Sequence, residues 1–269
     1  MAGTSREEPG SGPRARARIL VKTLADLLWP PVCAVCPRCL TLTDDPADPA
    51  SHFCPECLEE LEFMPAAGCP VCGRPFFHAD DHLCGDCLAG RPVYQSARSA
   101  LVYAGAAARS VVRLKYHGDK SQLKTLADLS GKRLTAPLLP GGDDPEPDII
   151  APMPISAGRL AERGFNQALE LARTLYRPWK KMIDETALAR PTDGDLHQAA
   201  LGAEERRKAV RGCFKVPEPS KVRGARVLLF DDVLTTGATA GEAARVLLAA
   251  GAARVDVATI ARTILQSWR

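Results

Sequence analysis

The chain is 269 residues long, 46% hydrophobic, 25% charged and 5% aromatic. That balance suits a globular protein with room for one α/β domain and a small module. It excludes a membrane-spanning chain, since no apolar run approaches the ~18 residues of a span. The net charge of +3 is already carried by residues 1–22 (Arg6, Arg14, Arg16, Arg18 and Lys22 against Glu7 and Glu8), so the body is near neutral and, with few aromatics, a poor platform for intrinsic nucleic-acid binding.

In chain order, residues 1–18 are rich in Gly, Pro, Ser, Arg and Ala and read as a disordered basic tail. They lack the apolar core and cleavage site of a secretory signal, so a cytoplasmic location is expected. Residues 19–29 place Ile19, Leu20, Leu24, Leu27 and Leu28 on or near one helical face. That predicts a short amphipathic helix packed on the body and ended before Pro30-Pro31.

Nine of the ten cysteines fall within residues 33–87. The spacing is Cys33-x2-Cys36, 17 residues, Cys54-x2-Cys57, then Cys69-x2-Cys72, 11 residues, Cys84-x2-Cys87. Two CxxC pairs across such a loop supply four thiolates to one tetrahedral zinc ion, and the pattern occurs twice. Disulfides need an oxidising compartment, a redox CxxC is usually single, and repeated ribbons favour zinc over an iron–sulfur cluster. Two structural zinc ions are expected. The first pairing scheme is sequential (Cys33 and Cys36 with Cys54 and Cys57; Cys69 and Cys72 with Cys84 and Cys87). An interleaved scheme, and substitution of the Cys36-x2-Cys39 pair for Cys33-x2-Cys36, stay open. Gly73 and Gly85 are expected to allow tight knuckle turns, and His52, His78 and His82 to be loop residues. Residues 19–92 thus form a helix plus a double zinc ribbon, folded chiefly by its metal.

From residue 93 to 269, strand and helix patterns alternate. Strands are expected at 97–103, 148–152, 225–230 and 255–260, with a further one at 182–189. Helices are expected at 106–116, 122–134, 166–176, 204–210 and 241–250, the last ended by Gly251, with a loop at 140–145. Such alternation predicts an α/β fold, a mostly parallel sheet covered by helices on both faces.

Several segments of this half bear chemistry. Residues 114–119 (LKYHGD) place Lys115 at a helix end, where it either binds phosphate or only favours the helix C-terminus. Residues 148–168 carry Arg159 and Arg163 four apart, able to face one anion or to be solvated. Residues 195–214 include Arg206, Arg207, Lys208 and Arg211, the composition of a basic hood over a diphosphate or of an exposed helix. Residues 227–239 (VLLFDDVLTTGAT) run four apolar residues into Asp231-Asp232 and then into Thr235-Thr236-Gly237-Ala238-Thr239. A strand, a small hydroxyl-and-glycine loop and a helix start offer amide N–H groups to an anion, while the acids accept from a sugar diol. Thr239 could serve only as a helix cap.

This stretch resembles the phosphoribosyl-pyrophosphate motif of the type I phosphoribosyltransferases. The resemblance implies that Asp231 and Asp232 hold the ribose 2′- and 3′-hydroxyls and that Thr235–Thr239 hold the 5′-phosphate. With the CxxC-rich head, LKYHGD, PMP followed by RLAERGFNQ, and residues 198–214, the chain resembles the ComF family from about residue 19 to 263. Where many relatives have Asn in the hood, Ala209 stands before Val210. The resemblance implies a type I phosphoribosyltransferase-like fold, phosphoribosyl pyrophosphate with Mg²⁺ as ligand, and Lys115, Arg159 and Arg163 at the diphosphate end. It also implies a link to DNA uptake and a DNA-processing protein partner. No residue stands out as a general base, so a transferase of unnamed acceptor and a non-catalytic ribose-phosphate sensor or zinc-ribbon adaptor both stay open, as does the oligomeric state.

Overall fold

The computed structural model describes residues 31–40, 45, 48–77, 80–135, 146–191 and 210–264. The basic tail, the helix expected at 19–29, the loop at 140–145, His78, and the hood residues up to Ala209 lie outside these. Among the described residues no helix is long and apolar enough to cross a membrane.

Four strands form one parallel sheet: β1 (Ser96–Val102), β2 (Ile149–Pro152), β3 (Arg226–Leu234) and β4 (Arg254–Arg262), in the order β1-β4-β3-β2. Parallel neighbours need crossovers, and helices supply them. Helix α3 (Gly105–His117) and α4 (Ser121–Thr135) follow β1, α5 (Ala157–Arg163) and α6 (Gln167–Leu175) follow β2, and α8 (Ala238–Ala249) joins β3 to β4. Three short helices complete the set: α1 (Pro55–Glu59) and α2 (Gly85–Ala89) in the cysteine module, and α7 (Pro219–Val222) before β3.

Strand residues alternate between two cores, as period-two geometry requires. Val227 and Leu229 of β3, with Val255 and Val257 of β4, pack against Ala240, Ala244 and Leu247 of α8. Phe230, Ala258 and Ile260 face the other way, against Leu114 of α3, Leu126 of α4 and Leu171 of α6. Helices therefore cover both faces, as the alternation predicted. The aromatic ring of Tyr176 meets Phe230 edge-on at 5.4 Å and fixes β3 just ahead of the acid pair.

The β1 edge of the sheet is covered. Phe63 bridges Leu101 in antiparallel fashion, with Met64 N–H donating to the Ala100 carbonyl at 2.9 Å and Val102 N–H to the Glu62 carbonyl at 2.9 Å. The end of the first cysteine ribbon thus covers β1, which would otherwise be an open pairing edge. On the β2 side the strand expected at 182–189 is replaced by isolated bridges, Ile150 with Ile183 and Ala189 with Lys215. Its neighbours Arg177–Met182 form a 3₁₀ segment, so the chain touches the edge without running along it.

Candidate functional site

The eight expected thiolates gather in two sets, Cys33, Cys36, Cys54 and Cys57, and Cys69, Cys72, Cys84 and Cys87, with the sulfurs of each set within 4.8 Å of one another. The sequential pairing is therefore the one adopted, and Cys39, exposed, belongs to neither set. Sulfur separations are 3.6 Å for Cys36–Cys54, 3.8 Å for Cys36–Cys57 and 3.6 Å for Cys72–Cys84. A tetrahedron with zinc–sulfur bonds of about 2.3 Å has edges of about 3.8 Å, whereas a disulfide bond is about 2.05 Å. Each set fits one zinc ion.

Burial raises the Cys69 thiol pKa, but amide N–H groups of Cys84, Cys72 and Val71 outweigh it and bring it down to about 6. The same balance brings Cys33 to about 7. Burial and the neighbouring sulfurs push Cys57 up to about 12, and burial takes Cys72 to about 11, because crowded thiols cannot all ionise without a cation among them. Gly73 has φ +70°, and a Cβ there would lie 2.3 Å from the Ala97 carbonyl oxygen, so the second knuckle needs glycine both for its turn and for its fit against β1. Gly85, in contrast, opens α2 with no positive φ and open space at its Cβ position, contrary to the expectation of a tight turn.

The acid pair is part of β3. The strand runs on to Leu234 because β4 continues beside it, with Asp231 opposite Thr259 and Leu234 opposite Arg262; the expected end at 230 was too early. Asp232 is 3% exposed, and its Oδ2 lies 2.7 Å from the Nζ of Lys115, at the end of α3. Burial acts against the Lys115 ammonium, yet Asp232 and then Asp231 raise its pKa above the ordinary value. Asp231 accepts the Asp232 N–H at 2.8 Å. Burial, and then the Asp232 carboxylate, raise the Asp231 pKa well above the carboxylate range, against the pull of Lys115. A carboxyl in that condition gains from hydroxyl donors or a cation.

Beyond Leu234, Thr235 and Thr236 are exposed and Gly237 turns with φ +76° into α8. Gly237, not Thr239, is the N-cap, and it offers no side chain to the first-turn amides. Ala238 N–H meets Thr236 Oγ1 only at 3.4 Å. The first turn of this 12-residue helix thus starts without a side-chain cap from its N-cap residue, at the helix end where anions can bind.

The expected diphosphate residues arrive unequally. Lys115 stands at the acids. Arg163 stacks its guanidinium 5.2 Å from the ring centroid of Tyr116, the neighbour of Lys115, so α5 and α3 meet at their ends. Its Nε is buried without a hydrogen-bond partner among the described residues. Arg159 is half-buried one turn earlier. The residues after Arg163 build the turn: Gly164 caps α5 with φ +76°, and Asn166 caps α6 while donating to the Met153 carbonyl at 3.1 Å.

Two residues that no local pattern marked join ribbon and sheet. Arg262, at the end of β4, is 5% exposed and donates from Nη1 to the Cys72 carbonyl. Tyr94, also 5% exposed, places its hydroxyl 3.2 Å from where a Cβ on Gly237 would stand. The second tetrathiolate set and the turn at Gly237 are therefore both braced by residues next to the sheet end.

A helix-covered parallel sheet with an acid pair and a Thr-Thr-Gly turn at one strand end, headed by two tetrathiolate ribbons, defines an α/β protein with a zinc-ribbon head. The model of the double zinc ribbon domain matches residues 24–88. The chain is 34% identical over 203 residues to the DNA utilization protein YhgH of Escherichia coli O157:H7, covering 73% of this chain and 84% of that one. It is 30% identical over 227 residues to the competence protein ComFC of Bacillus subtilis (80% and 86% covered). It is 27% identical over 217 residues to competence protein F of Haemophilus influenzae (78% and 90% covered). The chain belongs to the ComF family. A looser likeness, to the glutamine phosphoribosylpyrophosphate amidotransferase of B. subtilis, has 17% identity, a TM-score of 0.32 and coverage of 55% of this chain and 30% of that one.

Proposed function

We propose that this protein binds phosphoribosyl pyrophosphate with Mg²⁺ and serves DNA uptake or utilisation, as the names of its relatives suggest. The observation that carries the reading is the pairing of Asp231 and Asp232 with an uncovered anion loop three residues further on. The carboxylates take the ribose 2′- and 3′-hydroxyls, and the hydroxyl donors relieve the half-buried Asp231. Thr235, Thr236, Gly237, Ala238 and Thr239 take the 5′-phosphate on amide and hydroxyl donors.

The diphosphate end falls to the α3–α5 junction, where Arg163 and Arg159 supply bidentate donors. Lys115 balances Asp232, and so sets the charge of the acid pair while standing beside the diphosphate. The acid pair supplies the hard oxygen donors that Mg²⁺ takes together with substrate phosphates. When bound, the ion neutralises charge on a departing diphosphate. The zinc ribbons provide the surface for a DNA-processing protein partner, in keeping with a near-neutral body.

Equilibrium binding of phosphoribosyl pyrophosphate tests the reading, and release of diphosphate separates a transferase from a sensor. Saturable Mg²⁺-dependent binding is expected, and a zinc-loaded protein that ignores the ligand refutes the assignment.

A further inference from the structure

The turn after β3 shares a cavity with the second thiolate set. Thr235, Thr236, Gly237 and Ala238 line a groove of about 870 Å³. Cys72 and Cys87 line the same groove, as do residues 89–94, which lead from the end of α2 towards β1.

The ribbon is held there at several points. Arg262, at the end of β4, donates from Nη1 to the Cys72 carbonyl. The knuckle lies so close to β1 that a Cβ on Gly73 would stand 2.3 Å from the Ala97 carbonyl oxygen. Cys87, in the thiolate set, anchors the start of the linker. Tyr94, 5% exposed, anchors its end, where the Gln95 N–H donates to the Val255 carbonyl at 2.8 Å. Arg91 is thus carried on a short segment pinned at both ends. Arg211 is pinned independently: the Gly212 N–H donates to Glu242 of α8 at 2.8 Å, and Cys213 and Phe214 are buried.

The charge of the groove is one-sided. Five arginines line it against two carboxylates, Asp86 and Glu242. Three of the five are engaged: Arg245 with Glu242 at 2.8 Å, Arg74 with Asp86 at 3.6 Å, and Arg262 with the Cys72 carbonyl. Arg91 and Arg211 are exposed and have no carboxylate partner among the described residues. Two guanidiniums without counter-charge, on pinned backbone and in one groove with two exposed threonines, suit a phosphate monoester, which takes paired N–H donors.

We infer that the second zinc ribbon is a wall of the 5′-phosphate seat: Arg91, from its linker, and Arg211 bind the phosphate that Thr235–Thr239 cradle. The inference rests on the ribose-phosphate reading above and deepens it, adding two phosphate-binding residues and giving the ribbon a place in the site. No described residue of the first thiolate set lines the groove, so the two ribbons differ in their bearing on the ligand.

Calorimetry on the zinc-loaded full chain tests this with two ligands, phosphoribosyl pyrophosphate with Mg²⁺, and ribose 5-phosphate read by displacement of it. Both carry the 5′-phosphate, and only the first carries a diphosphate. Arg91→Ala and Arg211→Ala are each expected to weaken both ligands by a similar factor, about tenfold, the low end for a charge-assisted hydrogen bond. Arg91→Lys is expected to recover part of that loss, since it restores the charge without the fork. Arg173→Ala, an exposed arginine outside the groove, is expected to change neither affinity. Cys69→Ser, which removes a ligand from the second set, is expected to weaken ribose 5-phosphate at least as much as Arg91→Ala, because the linker loses its anchor.

Wild-type affinity in either arginine-to-alanine variant overturns the inference and leaves the ribose-phosphate reading standing. A loss confined to phosphoribosyl pyrophosphate does the same, because it moves the arginines to the diphosphate end. An equal loss in Arg173→Ala reduces the effect to overall charge and also overturns it, as does a Cys69→Ser protein short of one zinc ion that binds like wild type. If folded wild type binds neither ligand, both readings fall. Zinc content and circular dichroism separate a lost contact from a lost fold, and the arginine variants, which change exposed side chains, decide the question should Cys69→Ser misfold.

Discussion

The Nζ of Lys115 lies 2.7 Å from Oδ2 of Asp232, with the side chains 18% and 4% exposed. One helix end thus pairs directly with one member of the acid pair and only partly offsets the raised pKa of the other, Asp231. The two adjacent aspartates therefore sit in different surroundings: Asp232 ties α3 to the sheet, and Asp231 lies half-buried beside it.

Removing the lysine should therefore cost stability as well as binding. Lys115→Met leaves a buried carboxylate unpaired, a loss of about 3 kcal/mol. Urea denaturation should show a lowered midpoint, with partial recovery when Asp232→Asn is added. A single variant within about 0.5 kcal/mol of wild type on that scale would show the pair to be incidental.

The two ribbons should empty independently. Cys33→Ser and Cys69→Ser each remove a ligand from a different tetrathiolate set, so bound zinc should fall from two ions per chain to one in either variant. A structural zinc contributes on the order of 10 kcal/mol to a small metal-built fold. A chelator should therefore unfold the head. Loss of both ions from one substitution contradicts two separate sites.

Glu242 sets a pH dependence. It accepts from Arg245 and from the Gly212 N–H at 2.8 Å. The Arg245 hydrogen bond, then the Gly212 amide and the charges of Arg245 and Arg211, hold its pKa below the usual 4.5 against a cost of burial. A folded pKa below the unfolded one means stability present above about pH 4.5 and lost as pH falls through the folded value. Wild type should therefore lose more stability than Glu242→Gln as pH falls below about 4.5. Parallel denaturation curves for the two proteins over that range contradict the linkage.

Gly237→Ala tests the anion seat by shape alone. A residue with a Cβ at φ +76°, 3.2 Å from the Tyr94 hydroxyl, is strained by about 1–2 kcal/mol. Ribose 5-phosphate affinity should fall while both zinc ions stay bound. Unchanged affinity shows that the loop is not the seat.

Much of this was legible in the sequence because it is local. CxxC spacing fixed the thiolate sets down to a choice of pairing, and the apolar runs at 227–230 and 255–260 located β3 and β4. Their ends were not legible. Asp231 and Asp232 look like the end of a strand, and only pairing with Thr259 and its neighbours keeps the backbone extended through them. The segment 182–189 has strand-like residues but meets β2 at a single bridge. Long-range contacts left no local mark at all. Arg262 reaches Cys72 across 190 residues, and Tyr94 meets Gly237 across the ribbon boundary. The groove between them exists only in the folded chain.

The measurement that tests the central claim most directly is calorimetric titration of zinc-loaded protein with phosphoribosyl pyrophosphate and Mg²⁺, in wild type and in Asp231→Asn with Asp232→Asn. The account predicts saturable binding to wild type, its loss in the double variant, and two zinc ions retained in both. Equal affinity in the two proteins, or no heat from folded wild type, would contradict it.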